Sequence, residues 1–495
     1  MSSVGSKVAK GAAWMVGFRF LQRFIGVIST VILARLLIPE DFGLVAMAMA
    51  VYAILELIGQ AGFDLALIQN QRADRRHYNT AWTFMVLYGV FSAAVLILLA
   101  PTFAGLFGDP RVEGIVYALA VLAVIQGFEN IGIVAFRKEL QFNKEFWFQV
   151  AKKLTAFVVT VALAYIFRSY WALVAGMLAS RLTGVTLSYW IHPYRPRLSL
   201  AATRDLFTFS GWVIFANLTR YAHTRGPDFI IGPMLGAANL GLFRIAKEIS
   251  NLPSTQLTFP IMRAVFPGYA KIAHDRPRLQ QGFLDTQGMI AMITLPASVG
   301  VVVMAEPLVY LMLGSKWAAA IPLMQVLGLY GITKILQGNS AALFMAMGKP
   351  YWIGLFVLME TAILLPLLFV LLNHGGLEIA VWANVIGGLA LVPPVLMVLT
   401  RTLGVRPLQR LAVIWRPFVG AAVMAAAVVL MSREVPPVHD EWSAFVHIVT
   451  VLPVAGGTYL ATVLLAWWLT GAERGTETRL LGALRHRFPL PGFLR

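Results

Sequence analysis

The chain has 495 residues, of which 59% are hydrophobic and only 13% charged, with a mean hydropathy of +0.74. That is far more apolar surface than one water-soluble core can bury, which excludes a single soluble enzyme domain and points to an all-α polytopic membrane protein. The absence of cysteine excludes disulfides and thiolate metal sites, and the net charge of +17, a nucleic-acid signature in a soluble protein, has to be read by position instead.

The first apolar run, 11–38, is too long for the core of a cleavable leader and carries Arg19 and Arg23, so it is expected to stay in place as helix 1. Further runs long enough to cross hydrocarbon follow at 41–69, 80–107, 112–137, 146–168, 170–192, 205–235, 238–270, 283–313, 317–347, 350–373, 376–401, 411–432 and 443–470, which gives fourteen spans. Pro253, Pro260 and Pro267 should kink the run at 238–270.

If the N-terminus is cytoplasmic, the inside connections and the tail hold 26 of the 40 Lys and Arg, and the outside connections hold five. By the positive-inside rule both termini then lie in the cytoplasm of a plasma membrane, and anionic lipid headgroups suffice as partners for the basicity.

An internal repeat is visible at an offset of 198. Trp14 falls on Trp212, Ile32 on Ile230, Leu37 on Leu235, Asp41 on Asn239, Gly43 on Gly241, Leu44 on Leu242 and Ala48 on Ala246. The offset equals six helices plus a basic linker, so helices 7 to 12 should repeat helices 1 to 6 in the same orientation. The domain plan is a first lobe over 1–192, a linker over 193–204, a second lobe over 205–402, a helix pair over 411–470 and a basic tail over 471–495. Parallel six-helix repeats related by a pseudo-two-fold axis along the membrane normal are a transporter plan, with substrate handled near the midplane.

Several stretches together carry a family resemblance: "ARLLIPEDFGL" from Ala34, "LALIQ" from Leu65, "TRGPDFIIGPMLGAANLGLF" from Thr224, "LPSTQLTFPIMRAVFP" from Leu252, "AEPLVYLMLGSKW" from Ala305 and "AMGKP" from Ala346. Over about residues 5 to 405 the chain resembles the polysaccharide-repeat flippases of the multidrug, oligosaccharidyl-lipid and polysaccharide exporter superfamily. It is most similar to the branch serving exopolysaccharides of the colanic acid or succinoglycan kind. The resemblance implies two six-helix lobes, a C-terminal helix pair, and translocation of undecaprenyl-diphosphate-linked oligosaccharide across the inner membrane for exopolysaccharide or lipopolysaccharide assembly.

Charges at membrane depth are costly, so each is a functional candidate. Outside the connections stand nine cations, Arg19, Arg23, Arg181, Arg220, Arg225, Arg244, Lys247, Arg263 and Lys334, against six anions, Glu56, Asp64, Glu129, Asp228, Glu248 and Glu360. Helical spacing puts Arg19 with Arg23, Arg220 with Asp228, and Arg244 with Lys247 and Glu248 on single polar stripes. Arg23, Arg220, Lys247 and Lys334 lack an obvious carboxylate partner, Glu248 beside Lys247 excepted, and head the proposed cationic cavity. Arg19, Arg225 and Arg244 join them.

A guanidinium fork matches diphosphate oxygens, and low dielectric strengthens the attraction. The bland reading is that Arg225 with Asp228 and Arg244 with Glu248 only neutralise one another, and that Glu129 and Glu360 are structural. Trp14, Trp212 and Tyr221 offer stacking surfaces for sugar or, equally, an aromatic belt.

No nucleotide-binding loop or metal-ligand cluster appears, so no cofactor is expected, and energy must come from the membrane potential or a gradient. Asp228, Glu248, Glu56 and Asp64 are the titratable candidates for coupling to H⁺ or Na⁺. A drug or organic-cation antiporter of the same superfamily would want a cavity dominated by carboxylates, which nine cations against six anions oppose. A polymerase or ligase would need a sizeable outer loop, whereas the outward connections are about ten residues or shorter. The sequence reading is therefore a monomeric flippase working by alternating access, its substrate's polyprenyl tail lying along helices 13 and 14, with polysaccharide polymerase or export proteins as possible partners.

Overall fold

The computed structural model describes residues 2–59, 67, 73–139, 141–203 and 211–470. Asp64, Arg204 and the tail 471–495 lie outside the described residues, as do the side chains of Arg19, Trp212 and Arg263. Among the described residues every regular element is helical. Among the described residues ten helices are long and apolar enough to cross a membrane, or eleven if the bent pair Arg111–Gly127 and Ile131–Lys138 counts as one span. Such a chain must satisfy its backbone within each segment, because hydrocarbon offers no hydrogen-bond partner.

The breaks follow local chemistry. Asp74 caps the helix Arg75–Phe107, its side chain accepting from the backbone N–H of Arg76 and His77, and Gly108 ends that helix in the left-handed region. The spans at 205–235 and 238–270 are not straight rods. The helix Gly211–Arg225 stops before Gly226 and Pro227, the helix Asp228–Ser250 is broken at Gly236 with φ 78°, and Leu252–Lys271 begins with Pro253 in its first turn. A proline disfavours the helical conformation of the residue before it and supplies no N–H, so the interruption precedes Pro253.

The chain divides into two compact units, Met1–Gly241 and Leu242–Arg495. In the first, the helix Phe142–Phe167 packs along Trp171–Ile191, Arg75–Phe107 along Arg111–Gly127, and Gly211–Arg225 against Pro39–Gly59. Leu33, Leu37, Ala164 and Ala172 form one of its buried clusters. Near the start of Pro39–Gly59 two backbones touch. A Cβ on Gly43 would stand 1.7 Å from the carbonyl oxygen of Ala237, and one on Gly241 would stand 1.8 Å from that of Pro39. Gly43 and Gly241 are 198 residues apart, and so are Pro39 and Ala237: the contact maps onto itself under the offset of the sequence repeat, as an isologous contact does.

In the second unit the helices Pro407–Met431 and Glu441–Leu469 pack on each other, the first also along Arg276–Val303 and the second along Ala305–Met312. Ala291, Leu295, Ile414, Met424, Val451 and Val463 are buried together there, and the Tyr459 hydroxyl donates to the Met292 carbonyl at 2.8 Å. The opposite face of Glu441–Leu469 exposes Phe445, Leu452, Leu460 and Leu465, with Trp442 and Trp468 near its two ends. Those tryptophans are about 39 Å apart at 1.5 Å per residue, the spacing of the two interfacial belts of a bilayer.

Candidate functional site

Each unit encloses a cavity beside an ion pair. The cavity of the first unit, about 370 Å³, is lined by Ser29, Tyr52, Glu56, Lys153, Thr160 and Arg181 among others. Arg181 Nη2 lies 2.6 Å from Glu56 Oε1, joining the helices Trp171–Ile191 and Pro39–Gly59, and both side chains remain about a quarter exposed. One turn before Glu56, the Tyr52 hydroxyl donates to Gln126 at 2.8 Å. Gly176 sets the separation of two walls, since a Cβ there would stand 1.7 Å from Thr160 Oγ1.

The cavity of the second unit, about 270 Å³, is lined by Ser254, Thr258, Lys334, Gln337, Phe356 and Glu360 among others. Lys334 Nζ sits 2.7 and 2.8 Å from the two oxygens of Glu360, and the Tyr330 hydroxyl donates to the same carboxylate at 3.0 Å. Glu360 is 5% exposed. Tyr330 and Lys334 stand one turn apart on Ile321–Gln337, so one helical face delivers both to a carboxylate on Tyr351–Ala380. The carboxylate is thus nearly dry, while Lys334 keeps about a third of its side chain exposed, so the desolvation cost that their attraction offsets falls mainly on Glu360.

The remaining sequence candidates are spread more widely. Arg23 and Arg220 are exposed, Arg225 Nη1 is 3.8 Å from the buried Asp228, and Lys247 Nζ lies 5.2 Å above the Phe243 ring. Arg244 is half-buried and Glu248 exposed. Trp14 meets Phe146 edge-on at 4.8 Å, and the Tyr221 hydroxyl donates to the Ala50 carbonyl. Among the described residues no group of three His, Asp or Glu could hold a metal ion.

Sequence spacing misses every partner that comes from another helix. Lys334, expected to lack a carboxylate, has Glu360 26 residues on, and Glu129 has Lys152 at 3.1 Å, 23 residues on. Lys152 and Lys153, counted with the connections, stand well inside the helix Phe142–Phe167. Arg410, also counted with the connections, is 3% exposed. Its Nε donates to Gln287 Oε1 at 2.9 Å, its Nη2 to the Leu336 carbonyl, and it lies 5.8 Å from the Phe283 ring. It joins Pro407–Met431 to the rest of the unit beside the break at Gly338. The only signal in the sequence was Pro407, which starts a helix and so carries Arg410 into the first turn.

Residues 32–322, more than half of the chain, match the family described as "Polysaccharide biosynthesis protein". The chain belongs to that family. It is 25% identical to the succinoglycan biosynthesis transport protein ExoT of Rhizobium meliloti over 97% of this chain and 96% of that one. It is 24% identical to the lipopolysaccharide biosynthesis protein WzxC of Escherichia coli over 84% and 86%, and 24% identical to the teichuronic acid biosynthesis protein TuaB of Bacillus subtilis over 75% and 80%.

Among solved structures the fold is similar to that of the lipid II flippase MurJ, with a TM-score of 0.72 at 11% identity over 92% of this chain and 99% of that one. An inward-facing multidrug transporter of the MATE family gives 0.59 at 13% identity over 79% and 94%.

Proposed function

We propose that this protein is a flippase for undecaprenyl-diphosphate-linked oligosaccharide, working in a bacterial inner membrane. One observation carries this reading over a drug or cation antiporter. Of the five described carboxylates at membrane depth, four already hold a cation: Glu56 has Arg181, Glu129 has Lys152, Asp228 has Arg225 and Glu360 has Lys334. A cationic substrate needs a carboxylate not yet committed, whereas an anionic diphosphate needs guanidinium or ammonium groups. Arg23, Arg220, Lys247 and Arg244 supply these on helices 1, 7 and 8 of a fourteen-helix plan, and family membership supplies the polysaccharide context.

The substrate's polyprenyl tail would run along the apolar face of Glu441–Leu469. Coupling to H⁺ or Na⁺ would use Asp228, Glu248 or Glu56. The two six-helix lobes of the sequence plan would alternate access to the two sides of the membrane, and the reciprocal glycine contact at offset 198 would open and close with that cycle. Glycine is required there because any side chain would collide with a facing carbonyl. Gly43→Val should therefore keep this contact apart, and cysteines at Glu40 and Asn239 should lose short-reagent cross-linking that the parent supports. Unchanged cross-linking would remove the contact from the transport cycle.

The test of function is a deletion strain. Lipid-linked oligosaccharide should accumulate on the inner leaflet, and the Arg23→Gln, Arg220→Gln double variant should fail to clear it at near-normal protein level. Dye efflux from proteoliposomes, with no effect of deletion on the glycolipid, would overturn the reading in favour of the antiporter.

A further inference from the structure

The segment after Ile191 is held in place. His192 turns the chain into extended backbone, φ −113° and ψ 127°, and side chains of the helix Arg75–Phe107 then receive its N–H groups. The N–H of Arg197 donates to Asn79 Oδ1 at 3.0 Å, that of Ser199 to Thr83 Oγ1 at 2.9 Å, and that of Ala202 to Thr80 Oγ1 at 3.2 Å. The Tyr194 hydroxyl also donates to Asn79, and Asn130 Nδ2 donates to the Tyr194 carbonyl at 2.7 Å. The result is a strap zipped along the end of the first unit.

Extended backbone points successive side chains to opposite sides. Tyr194 and Ser199 turn towards the protein, while Arg197, Leu198 and Leu200 turn outwards, Leu198 being 72% and Leu200 55% exposed; Arg195 is exposed too, its Nη1 donating to the His192 and Tyr194 carbonyls at 2.8 and 3.0 Å and its remaining N–H groups open to a phosphate. Trp190, one residue before the span ends, is 83% exposed. Arg75 and Arg76 are exposed on the same end, against the carboxylates Asp74 and Glu139. Asp74 is engaged by His77 at 2.7 Å and Glu139 by Gln141 at 2.8 Å.

We infer that this strap is a headgroup-binding surface for anionic phospholipid: Arg195 and Arg197 take the phosphate, and Leu198 and Leu200 enter the acyl boundary. Its depth is fixed by two spans, since Ile191 ends one helix and Arg75 begins another at the same end, so the strap lies where lipid headgroups lie. Basic side chains interleaved with leucine and flanked by tryptophan are the composition that binds an anionic interface. Asn79, Thr80 and Thr83 fix the backbone in advance, which reduces the ordering cost of binding. The inference rests on the membrane reading alone and is independent of what is transported.

The chain has no cysteine, so Leu198→Cys can carry a single bimane label, and Leu200→Cys provides a second, independent position. Either protein is reconstituted in phosphatidylcholine containing an equal mole fraction of brominated phosphatidylglycerol or brominated phosphatidylcholine. Brominated phosphatidylglycerol should quench the label more, reflecting local enrichment of roughly five-fold for each arginine near the surface. Arg195→Gln with Arg197→Gln should bring the two lipids to equality, as should molar salt.

Equal quenching by both lipids with the arginines present would overturn the inference. So would no quenching by either, or a preference that survives loss of both arginines. Displacement of brominated phosphatidylglycerol by stoichiometric undecaprenyl diphosphate would reassign the strap to the carrier lipid and likewise overturn it.

Discussion

The two units place an ion pair against a cavity in different ways. In the first, Glu56 and Arg181 come from helices far apart in the chain and both are about a quarter exposed to the cavity they line. In the second, Lys334 and Glu360 come from successive spans, a tyrosine completes the carboxylate's hydrogen bonds, and Glu360 is nearly dry. The two units therefore hold their carboxylates with very different desolvation. The cations are similarly exposed, so the difference lies in the carboxylates: the wet Glu56 can yield its partner to an incoming ion, and the dry Glu360 holds its own as a clamp between helices.

The sharpest test of this contrast is to remove one cation at a time. Lys334→Met leaves the nearly dry Glu360 carboxylate without its ion pair, and loss of one member of a buried pair costs about 3–5 kcal/mol. The thermal midpoint of the purified protein should fall markedly, and removing both charges, Lys334→Met with Glu360→Leu, should recover much of it. Arg181→Met should cost less, about 1 kcal/mol, because Glu56 is partly solvated already. Equal losses at the two positions would break the comparison.

The smallest effect is expected away from the cavities. Arg111 bonds Asp109 at 2.7 Å and also meets Glu40. Hydrogen bonds from Arg111 hold the Asp109 carboxyl below its usual range. A depressed carboxylate stabilises the fold above its unfolded pKa, and that stability is lost as pH falls through the folded value. Asp109→Asn should therefore lower stability at neutral pH, by less than about 1 kcal/mol for a pair this exposed, and change nothing once pH has fallen below the folded value.

Much of the architecture was legible in the chain order of residues. Apolar runs of about twenty residues marked most of the helices, and Pro253 marked a break, because solvent and backbone sterics act locally. The repeat was legible as Gly43 on Gly241. Why glycine recurs there was not, since the facing carbonyls of Ala237 and Pro39 come from remote chain. Helix boundaries were the weaker part: the apolar run at 112–137 reads as one straight span, whereas the chain bends by 64° between Arg111–Gly127 and Ile131–Lys138.

The sequence by itself determined that this is a helical membrane protein with an excess of cations over carboxylates, because hydropathy and formal charge are properties of single residues. Only the tertiary structure decided which charges meet. Helical spacing finds partners three or four residues away, such as Asp228 for Arg225, but Glu56 for Arg181, Glu360 for Lys334 and Gln287 for Arg410 are chosen by helix packing. Low dielectric makes those choices strong, and they occur where helices remote in sequence come within about 3 Å, a distance that no spacing rule encodes.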